Sequence, residues 1–431
     1  NDGFVDVYVT NYGPDALYHN RRGVDFENVS ESAGIAGDAW SASAVFCDYD
    51  ADGFLDLFVS HYVKYTATRE CVAADGSSDY CSPQSFDYEK DTLYHNDGDG
   101  TFTDVSVRSG IDAVAAPGLG VLCFDFTGDG LLDFYVANDG EANQLWTNEG
   151  DGSFADEAFL MGTALNAMGR PEASMGVVVG DVDGDGDFDL FMTHLQNQTN
   201  TLYVNDGQWG FDDQSAARGL GATSLRYTGF GTAFLDYDHD GDLDLAIVNG
   251  RVRKSPPEPG SALGEYWNYY AEPNLLFEND GTGNFKDVSA MAGSFTSRIE
   301  VSRGLALGDV DEDGDLDILL TNTAGPARLY RNDAPKKGGW LSVRALDEAH
   351  TRQAHGAVVI AVAGGKRYAR VADPGFSYLS ANDSRAHFGL PGNARVESLE
   401  VLWPDGSRER FDGGAPNRFV VVEKGRGKVM P

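Results

Sequence analysis

Short apolar runs alternate with clusters of glycine, aspartate and asparagine along most of the chain, and the alternation is regular. The runs SASAVFC, GLGVLCF, ASMGVVVG, GFGTAFL and SRGLALG each lead into an acidic cluster. A second run follows each cluster (LFVSHY, FYVANDG, LFMTHL, LAIVNG, ILLTNT), and then a four-residue signature. The signature reads Leu17-Tyr18-His19-Asn20 in its first copy, then LYHN at 93–96, LWTN at 145–148, LYVN at 202–205, LFEN at 276–279 and LYRN at 329–332. A turn such as DGDG and a short run like FTDVS usually finish the unit. Runs of this length, rich in β-branched and aromatic side chains and bounded by turn formers, read as strands. Four strands in about 50 residues make one blade. The predicted fold is therefore all-β: a β-propeller over residues 1–335, with a small β domain over 336–431.

The acidic cluster is a nonapeptide, D-x-D-x-D-G-x-x-D. It stands whole at 48–56, 181–189, 236–244 and 309–317, and at 125–133 with threonine in third place. A sixth copy is cut short, with Asp2, Gly3 and Asp6 fitting its last five positions. The final aspartates fall 50, 77, 56, 55 and 73 residues apart, so two of the intervals carry insertions into a unit of about 50–55 residues. Four carboxylates within nine residues repel one another unless a cation meets them. Oxygen donors at alternating positions, with glycine sixth for a sharp turn, suit calcium, which takes six to eight hard oxygens. Magnesium keeps its waters, and zinc and copper prefer nitrogen or sulfur. Helix–loop–helix calcium hands are excluded, because the flanks are short β-type runs and not amphipathic helices.

Six structural calcium ions are thus expected. The predicted ligands are Asp2 and Asp6; Asp48, Asp50, Asp52 and Asp56 with the Phe54 carbonyl; and Asp125, Thr127, Asp129 and Asp133 with the Leu131 carbonyl. The remaining three sets are Asp181, Asp183, Asp185, Asp187 and Asp189; Asp236, Asp238, Asp240, Asp242 and Asp244; and Asp309, Asp311, Asp313, Asp315 and Asp317.

Composition narrows the partners. Sixty-eight acidic against 32 basic residues give a net charge of −36, which argues against nucleic acid. A content of 42 % hydrophobic and 11 % aromatic residues is too high for disorder. No apolar stretch is long enough to span a membrane. No signal peptide is visible, but the sequence opens inside a loop motif, so a targeting segment is expected upstream.

The insertions are where specific function is expected. The 63–91 segment holds Cys71 and Cys81, whose ten-residue spacing reads as a local disulfide and an oxidising compartment. Cys47 and Cys123 stand in apolar runs and read as buried small hydrophobes. The 251–274 segment carries Tyr266-Trp267-Asn268-Tyr269-Tyr270, and a third excursion at 160–174 adds Arg170 and Glu172. Five residues past the final aspartates stand Asn11, His61, Asn138, His194, Asn249 and Asn322, a polar ring in which the two histidines are the exceptions.

After Asn332 the acidic loops stop. APKKGG at 334–339 reads as a linker, and the strands beyond it carry denser basic residues. The repeats resemble the FG-GAP/VCBS family of calcium-binding propeller repeats. The tail resembles the ASPIC/UnbV domain, on Gly356, Gly364-Gly365, Gly375, Tyr378-Leu379-Ser380, Asn382-Asp383, His387-Phe388-Gly389-Leu390 and Trp403-Pro404-Asp405-Gly406. Together they look like bacterial relatives of cartilage acidic protein. The resemblance implies a secreted, periplasmic or outer-surface protein with integrin-α-like blades, usually seven, and no single activity. Seven blades are accordingly expected, with the ring closed by the chain termini or plugged by the small domain. In the tail, Asp383 and His387 are a candidate pair whose simpler role is to fix a turn.

Two functions follow. The first is a binding module whose inserted loops meet a protein, a glycan or a cell surface. The second is a cofactor-independent enzyme performing acid/base cyclisation, addition or lyase chemistry on a small organic substrate at the propeller mouth. There His61, His194, Arg170 and Glu172 would act as acid, base or charge stabiliser. A structural matrix component, with neither pocket nor converging residues, is a third reading.

Overall fold

The structure is a computed structural model that describes residues 2–35, 37–73, 76–207 and 210–430. Asn1, at the cut edge of the first acidic loop, and Ala74 and Asp75 of the 63–91 insertion lie outside the described residues. Residues up to Tyr330 build six antiparallel blade sheets in chain order. Blades 2 to 5 have four strands each. Blade 2 comprises Ser41–Cys47, Asp56–His61, Thr92–Asn96 and Phe102–Asp104, and blade 3 Gly118–Phe124, Asp133–Asn138, Gln144–Asn148 and Phe154–Asp156. Blade 4 opens with Val177–Gly180 and blade 5 with Gly229–Leu235. Blade 1 (Val7–Val9, Ala16–Asn20, Phe26–Asn28) and blade 6 (Ser302–Gly308, Asp317–Asn322, Arg328–Tyr330) have three strands each. Six sheets among the described residues, against the seven expected, match the six copies of the repeat. The tail folds into sheets of its own instead of a seventh blade. Val7, Val9, Leu319 and Leu329 on blades 1 and 6 stay exposed.

In blades 2 to 6 the acidic loops are hairpin turns between the first two strands, and in blade 1 the loop leads into the first described strand. In blades 2 to 6 the final aspartate pairs with the residue just before the loop: Cys47↔Asp56, Phe124↔Asp133, Gly180↔Asp189, Leu235↔Asp244 and Gly308↔Asp317. This common register holds every loop at one face of the ring. The core lies between blades, where adjacent sheets press apolar faces together. Phe58 and Phe134 pack between blades 2 and 3, and Phe191 and Phe277 between blades 4 and 5, all fully buried. Each such side chain contributes roughly 2–3 kcal/mol.

Cys47 and Cys123 are not separate buried thiols. They form a disulfide, as Cys71 and Cys81 do. The two cysteines lie on the first strands of neighbouring blades. Cys47 is the residue paired with the final aspartate, whereas Cys123 sits one position earlier in its own strand. Side chains alternate along a strand, so this one-residue offset turns them to opposite faces of their blades. Adjacent blades meet on opposite faces, which brings the two sulfurs together.

The tail forms two sheets. One joins Gly338–Asp347 to Arg352–Gln353, Ala386–Pro391 and, in parallel, Arg418–Glu423. The other runs in the order Lys366–Ala372, Ala357–Ala363, Val396–Leu402, Arg408–Gly414 and Lys428–Val429. Leu341, Val359, Phe388, Val401 and Trp403 are buried between them. The 334–339 stretch is not a free linker. Lys336 pairs with Asp315 at 2.9 Å, and Lys337 with Asp238 at 2.7 Å and Asp240 at 2.8 Å.

The segment between the strands ending at Ala372 and beginning at Ala386 enters the propeller and touches blades 2 to 6. Ser377 exchanges backbone bonds with Val177 (2.7 and 3.1 Å) and accepts from Thr232 N–H through Oγ. Leu379 N–H donates to Ser43 Oγ, and Asn382 Oδ1 accepts from Leu307 N–H. Phe376 packs against the cores of blades 3 to 6. Gly375 is the point of closest approach: a Cβ there would lie 2.5 Å from Val45 Cγ2. The small domain thus plugs the ring.

Candidate functional site

Each acidic loop is assembled from nested side-chain-to-backbone bonds. The last aspartate is fully buried in blades 2 to 6 and its carboxylate is a latch. One oxygen accepts the N–H of the signature asparagine in all six blades: Asn20→Asp6, Asn96→Asp56, Asn148→Asp133, Asn205→Asp189, Asn279→Asp244 and Asn332→Asp317, at 2.7–3.0 Å. The other oxygen accepts the N–H of the loop's second residue, for example Phe126→Asp133 at 2.9 Å and Val182→Asp189 at 3.0 Å. The first aspartate accepts the N–H of the sixth-position glycine (Gly130→Asp125, Gly241→Asp236, Gly314→Asp309, each 2.9 Å). That glycine has φ near +90° (Gly130), a left-handed turn that side chains resist. The asparagine amides go further and stitch blades together. Asn148 Nδ2 donates to Tyr49 O of blade 2, Asn279 to Val182 O of blade 4 and Asn332 to Tyr237 O of blade 5.

Three carboxylate oxygens lie within 4.8 Å of one another in each of the groups Asp48-Asp50-Asp52, Asp181-Asp183-Asp189 and Asp236-Asp238-Asp244. Asp183 Oδ1 and Asp238 Oδ1 are buried without a hydrogen-bond partner. Burial pushes the carboxyls of Asp56 and Asp189 up to about 8, Asp244 to about 9 and Asp133 and Asp236 to about 7. Carboxyls held this way ionise at neutral pH only beside a positive charge. The donor set is hard oxygen with space for a cation, so these residues fit a divalent ion.

The third residue of each signature decides what else each loop meets. His19 Nδ1 stands 3.0 Å from Asp6, and His95 Nδ1 3.2 Å from Asp56 and 3.3 Å from Asp50. Glu278 joins Asp238 and Asp240, and Arg331 lies 3.8 Å from Asp311. Two loops therefore have imidazole nitrogen within reach through their signatures, and the 309–317 loop has His239 Nε2 3.3 Å from Asp315, beyond the all-oxygen set predicted. Arg218 lies 3.1 Å from Asp183, and the tail supplies further neighbours. Arg352 pairs with Asp48, Arg370 faces Asp236 and Asp181, and His387 Nε2 lies 2.8 Å from Gly314 O. Asp383 pairs with Arg385 and not with His387. The loop at 125–133 has no ion pair among the described residues. With the loop at 181–189 it borders a cleft of about 650 Å³ against Arg367, Trp403 and Arg408.

The opposite face carries the predicted catalytic residues and does not bring all four together. His61 is buried in blade 2. Its Nδ1 lies 3.2 Å from Ser41 Oγ, its Nε2 3.0 Å from Thr92 Oγ1, and its N–H donates to Asp91. His194 is buried in blade 4, with Nε2 3.1 Å from Ser174 Oγ, Nδ1 2.6 Å from Thr199 O and Glu172 at 3.4 Å. Burial holds both imidazoles well below their ordinary range, His61 at about 4. Arg170 is exposed. Of the four, only His194 and Glu172 touch. The asparagines at the equivalent positions also close turns in their own blades, as Asn138 does with Asn143 and Asn249 with Asn274.

The insertions behave differently, because they reach one another. The segments from blades 2 and 5 meet where Tyr80 and Tyr266 hydroxyls come to 3.4 Å, Tyr270 donates to Asp79 at 3.1 Å and Lys254 Nζ to Ser78 O at 2.8 Å. Tyr270 is buried, but Tyr80 (56 % exposed) and Tyr266 (49 %) face solvent. A second aromatic group lies at the boundary of blades 1 and 2, where Trp40 takes edge contacts from Tyr12, Tyr62 and Tyr65.

A family model described as an FG-GAP-like repeat matches residues 1–59, 72–134, 125–192 and 181–247, and one described as ASPIC and UnbV matches 347–429. The chain belongs to the FG-GAP-like repeat family and carries an ASPIC and UnbV domain. Cartilage acidic protein 1 of Xenopus tropicalis is 26 % identical over 471 residues, covering 94 % of this FG-GAP chain and 69 % of the frog protein. The mouse (Mus musculus) protein of that name is 27 % identical over 362 residues, covering 70 % of the chain, and the human one 26 % over 409 residues, covering 90 %. The chain spans about half, 54 %, of the length of each of these two. Among solved structures, an Agrocybe aegerita lectin that recognises non-reducing terminal N-acetylglucosamine aligns with a TM-score of 0.40 at 17 % identity, over 76 % of this chain and 80 % of the lectin. A Trypanosoma rangeli sialidase aligns at 0.36 and 11 %, over 76 % and 54 %. Both likenesses are too slight to bear on function.

Sequence reasoning about this FG-GAP chain missed three things: the variable signature position that sends His95 or Glu278 to a loop, the asparagine stitch between blades, and the basic cover from the tail. The first two were visible as the X and the N of the L-aromatic-X-N signature. The third was visible only as denser basic residues after Asn332.

Proposed function

We propose that the chain is a secreted, calcium-stabilised β-propeller that serves as a binding module, and that a protein or a glycan displayed on a surface docks on the face bearing the insertions. The observation that carries this reading is the meeting of the two insertions from blades 2 and 5, with Tyr80 and Tyr266 exposed at the join. Tyrosine offers a flat apolar ring and a hydroxyl at low entropic cost, which suits such contacts. Two disulfides support an oxidising compartment, and no described helix is long and apolar enough to cross a membrane. The loop aspartates, Asp48, Asp125, Asp181, Asp236 and Asp309 with their partners, would hold calcium. The ion would supply the positive charge that the buried carboxylates need. His61 and His194, each satisfied inside its own blade, lend no support to chemistry shared between them.

The test compares wild type with the double variant Tyr80→Ser/Tyr266→Ser on a printed glycan array and on a panel of purified extracellular proteins, in calcium-containing buffer. Selective retention of the wild type, reduced at least about ten-fold in the variant, is expected. Equal retention of both proteins would remove this face as the binding site.

A further inference from the structure

Two of the arginines shut away in this protein are met directly by carboxylates. Arg251 pairs with Glu272 at 2.8 Å and Glu258 at 2.6 Å, Arg352 pairs with Asp48, and Arg370 faces Asp236 and Asp181. Arg303, on the first strand of blade 6, makes no ion pair among the described residues. Backbone carbonyls hold it instead: Nη1 donates to Gly250 O (2.9 Å) and Ser302 O (2.8 Å), and Nη2 to Arg251 O (3.3 Å). Its guanidinium lies over the Phe230 ring, 3.9 Å from the centroid. Burial pushes its pKa down to about 10, only partly offset by Tyr378, by the Glu272 carboxylate that Arg251 already holds, and by Tyr80. These bonds leave Nε–H with no protein acceptor among the described residues.

The surroundings come from four parts of the fold. Tyr378, from the plug, makes an edge contact with the same Phe230 ring at 4.9 Å. Its hydroxyl has no protein partner among the described residues, and it feels both Arg303 and Asp139. Asp139, from blade 3, accepts the Tyr62 hydroxyl at 2.6 Å, and burial pushes its carboxyl up to about 6. Tyr80, from the blade 2 insertion, also feels Arg303. Leu119, Met175 and Phe230 form an apolar floor with Tyr378. Arg303, Tyr378, Tyr62 and Asp139 all remain partly open to solvent.

We propose that this cluster is a binding site for a small organic carboxylate, gripped by Arg303 and Tyr378 and packed on Phe230 between the plug and the insertions. The guanidinium is a planar fork with a donor to spare, and a carboxylate supplies an acceptor and the direct ion-pair partner that it has not found among the described residues. The apolar floor and the aromatic edges select a ligand with a flat apolar body. A cationic ligand is disfavoured by Arg303 itself. This site goes beyond the surface-docking reading and stands or falls separately from it.

The experiment uses the full chain with benzoate as the probe and benzamide as its neutral counterpart, read by isothermal titration and by saturation-transfer NMR. Wild type is expected to bind benzoate and to ignore benzamide. Arg303→Gln should weaken benzoate at least about ten-fold and Tyr378→Phe about three-fold, while Arg303→Lys keeps part of the affinity. Because Arg303 also ties blades 5 and 6, circular dichroism and melting check each variant. If Arg303→Gln does not fold, Tyr378→Phe and the benzoate–benzamide difference decide the matter. No binding to wild type, equal binding of benzoate and benzamide, or unchanged affinity in the folded variants overturns the site.

Discussion

On the acidic-loop face one hydrogen-bond scheme repeats in blade after blade, while on the opposite face the loops between second and third strands differ in every blade. The repeated face is covered except at the cleft beside the 125–133 and 181–189 loops. Its final aspartates are latched by two backbone N–H groups, its signature asparagines stitch neighbouring blades, and the tail covers it with Lys336, Lys337, Arg352 and Arg370. The irregular face is open, with tyrosines exposed on insertions that touch each other as well as the ring. The difference teaches where stability and specificity are kept apart. Substitutions on the first face should cost folding, and those on the second should cost recognition.

The largest effect expected is from metal removal. With calcium stripped by EGTA, and the removal verified by elemental analysis, the melting temperature should drop by more than about 10 °C, because metal affinity is folding free energy. An unchanged melt in verified metal-free protein would break the calcium half of the comparison. The two disulfides give the next test. Replacing Cys47 and Cys123 with alanine releases a link spanning 76 residues between blades and should cost about 4 kcal/mol in denaturant unfolding. Replacing Cys71 and Cys81 with serine, a link spanning 10 residues inside an insertion, should leave the global transition almost unmoved and speed proteolysis of the 63–91 segment. Equal global losses would erase the distinction between ring and insertion.

The blades were legible because their signals are local. Strand runs, the nonapeptide and the L-aromatic-X-N signature each lie within a dozen residues, and their spacing exposed the insertions. What escaped depends on which faces meet in the ring. The Cys47–Cys123 bridge needs both the register of each cysteine against its final aspartate and the rule that adjacent blades touch opposite faces. Apolar surroundings alone made both cysteines read as core. A plug by the small domain was one of the two expected ways to complete the ring, but the residues that form it escaped for a similar reason. Phe376 and Ser377 look like an ordinary connection between strands until blades 3 to 6 are in place around them. Seven blades were expected from family resemblance, whereas the repeat count was already six. Lys336 and Lys337 read as a solvated linker because nothing within the stretch marks the carboxylates they meet.

The stitch between blades can be separated from the metal. Asn279 is buried, and its amide donates to Val182 O in blade 4 (2.7 Å) and to Leu243 O in its own blade (3.1 Å). Asn279→Ala leaves both carbonyls without that donor and should cost about 3 kcal/mol in calcium-saturated protein, measured by denaturant unfolding. A loss below about 1 kcal/mol would mean that the cations, and not the asparagines, bind blade to blade.

The smallest effect tests the plug, the one element that leaves the repeated face and crosses toward the other. Asp373 stands at its root, buried, with its carboxylate accepting the Gly375 N–H at 2.6 Å. Burial pushes its carboxyl up to about 7 in the folded chain, against about 4 when unfolded. Between these values the folded state holds a proton that the unfolded state has released. This contribution to stability is complete below pH 4 and is lost as the pH rises through 7. Asp373→Asn keeps the acceptor and cannot ionise. At pH 8 the variant should therefore be more stable than wild type by on the order of 2 kcal/mol, and at pH 5 the gap should shrink toward zero. The calcium-saturated protein is the right material, since bound cations hold the loop carboxylates ionised in both variants across this range. A difference in melting temperature that stays constant from pH 5 to 8 would show that the carboxyl of Asp373 keeps an ordinary pKa. The root of the plug would then be as wet as the open face it points toward.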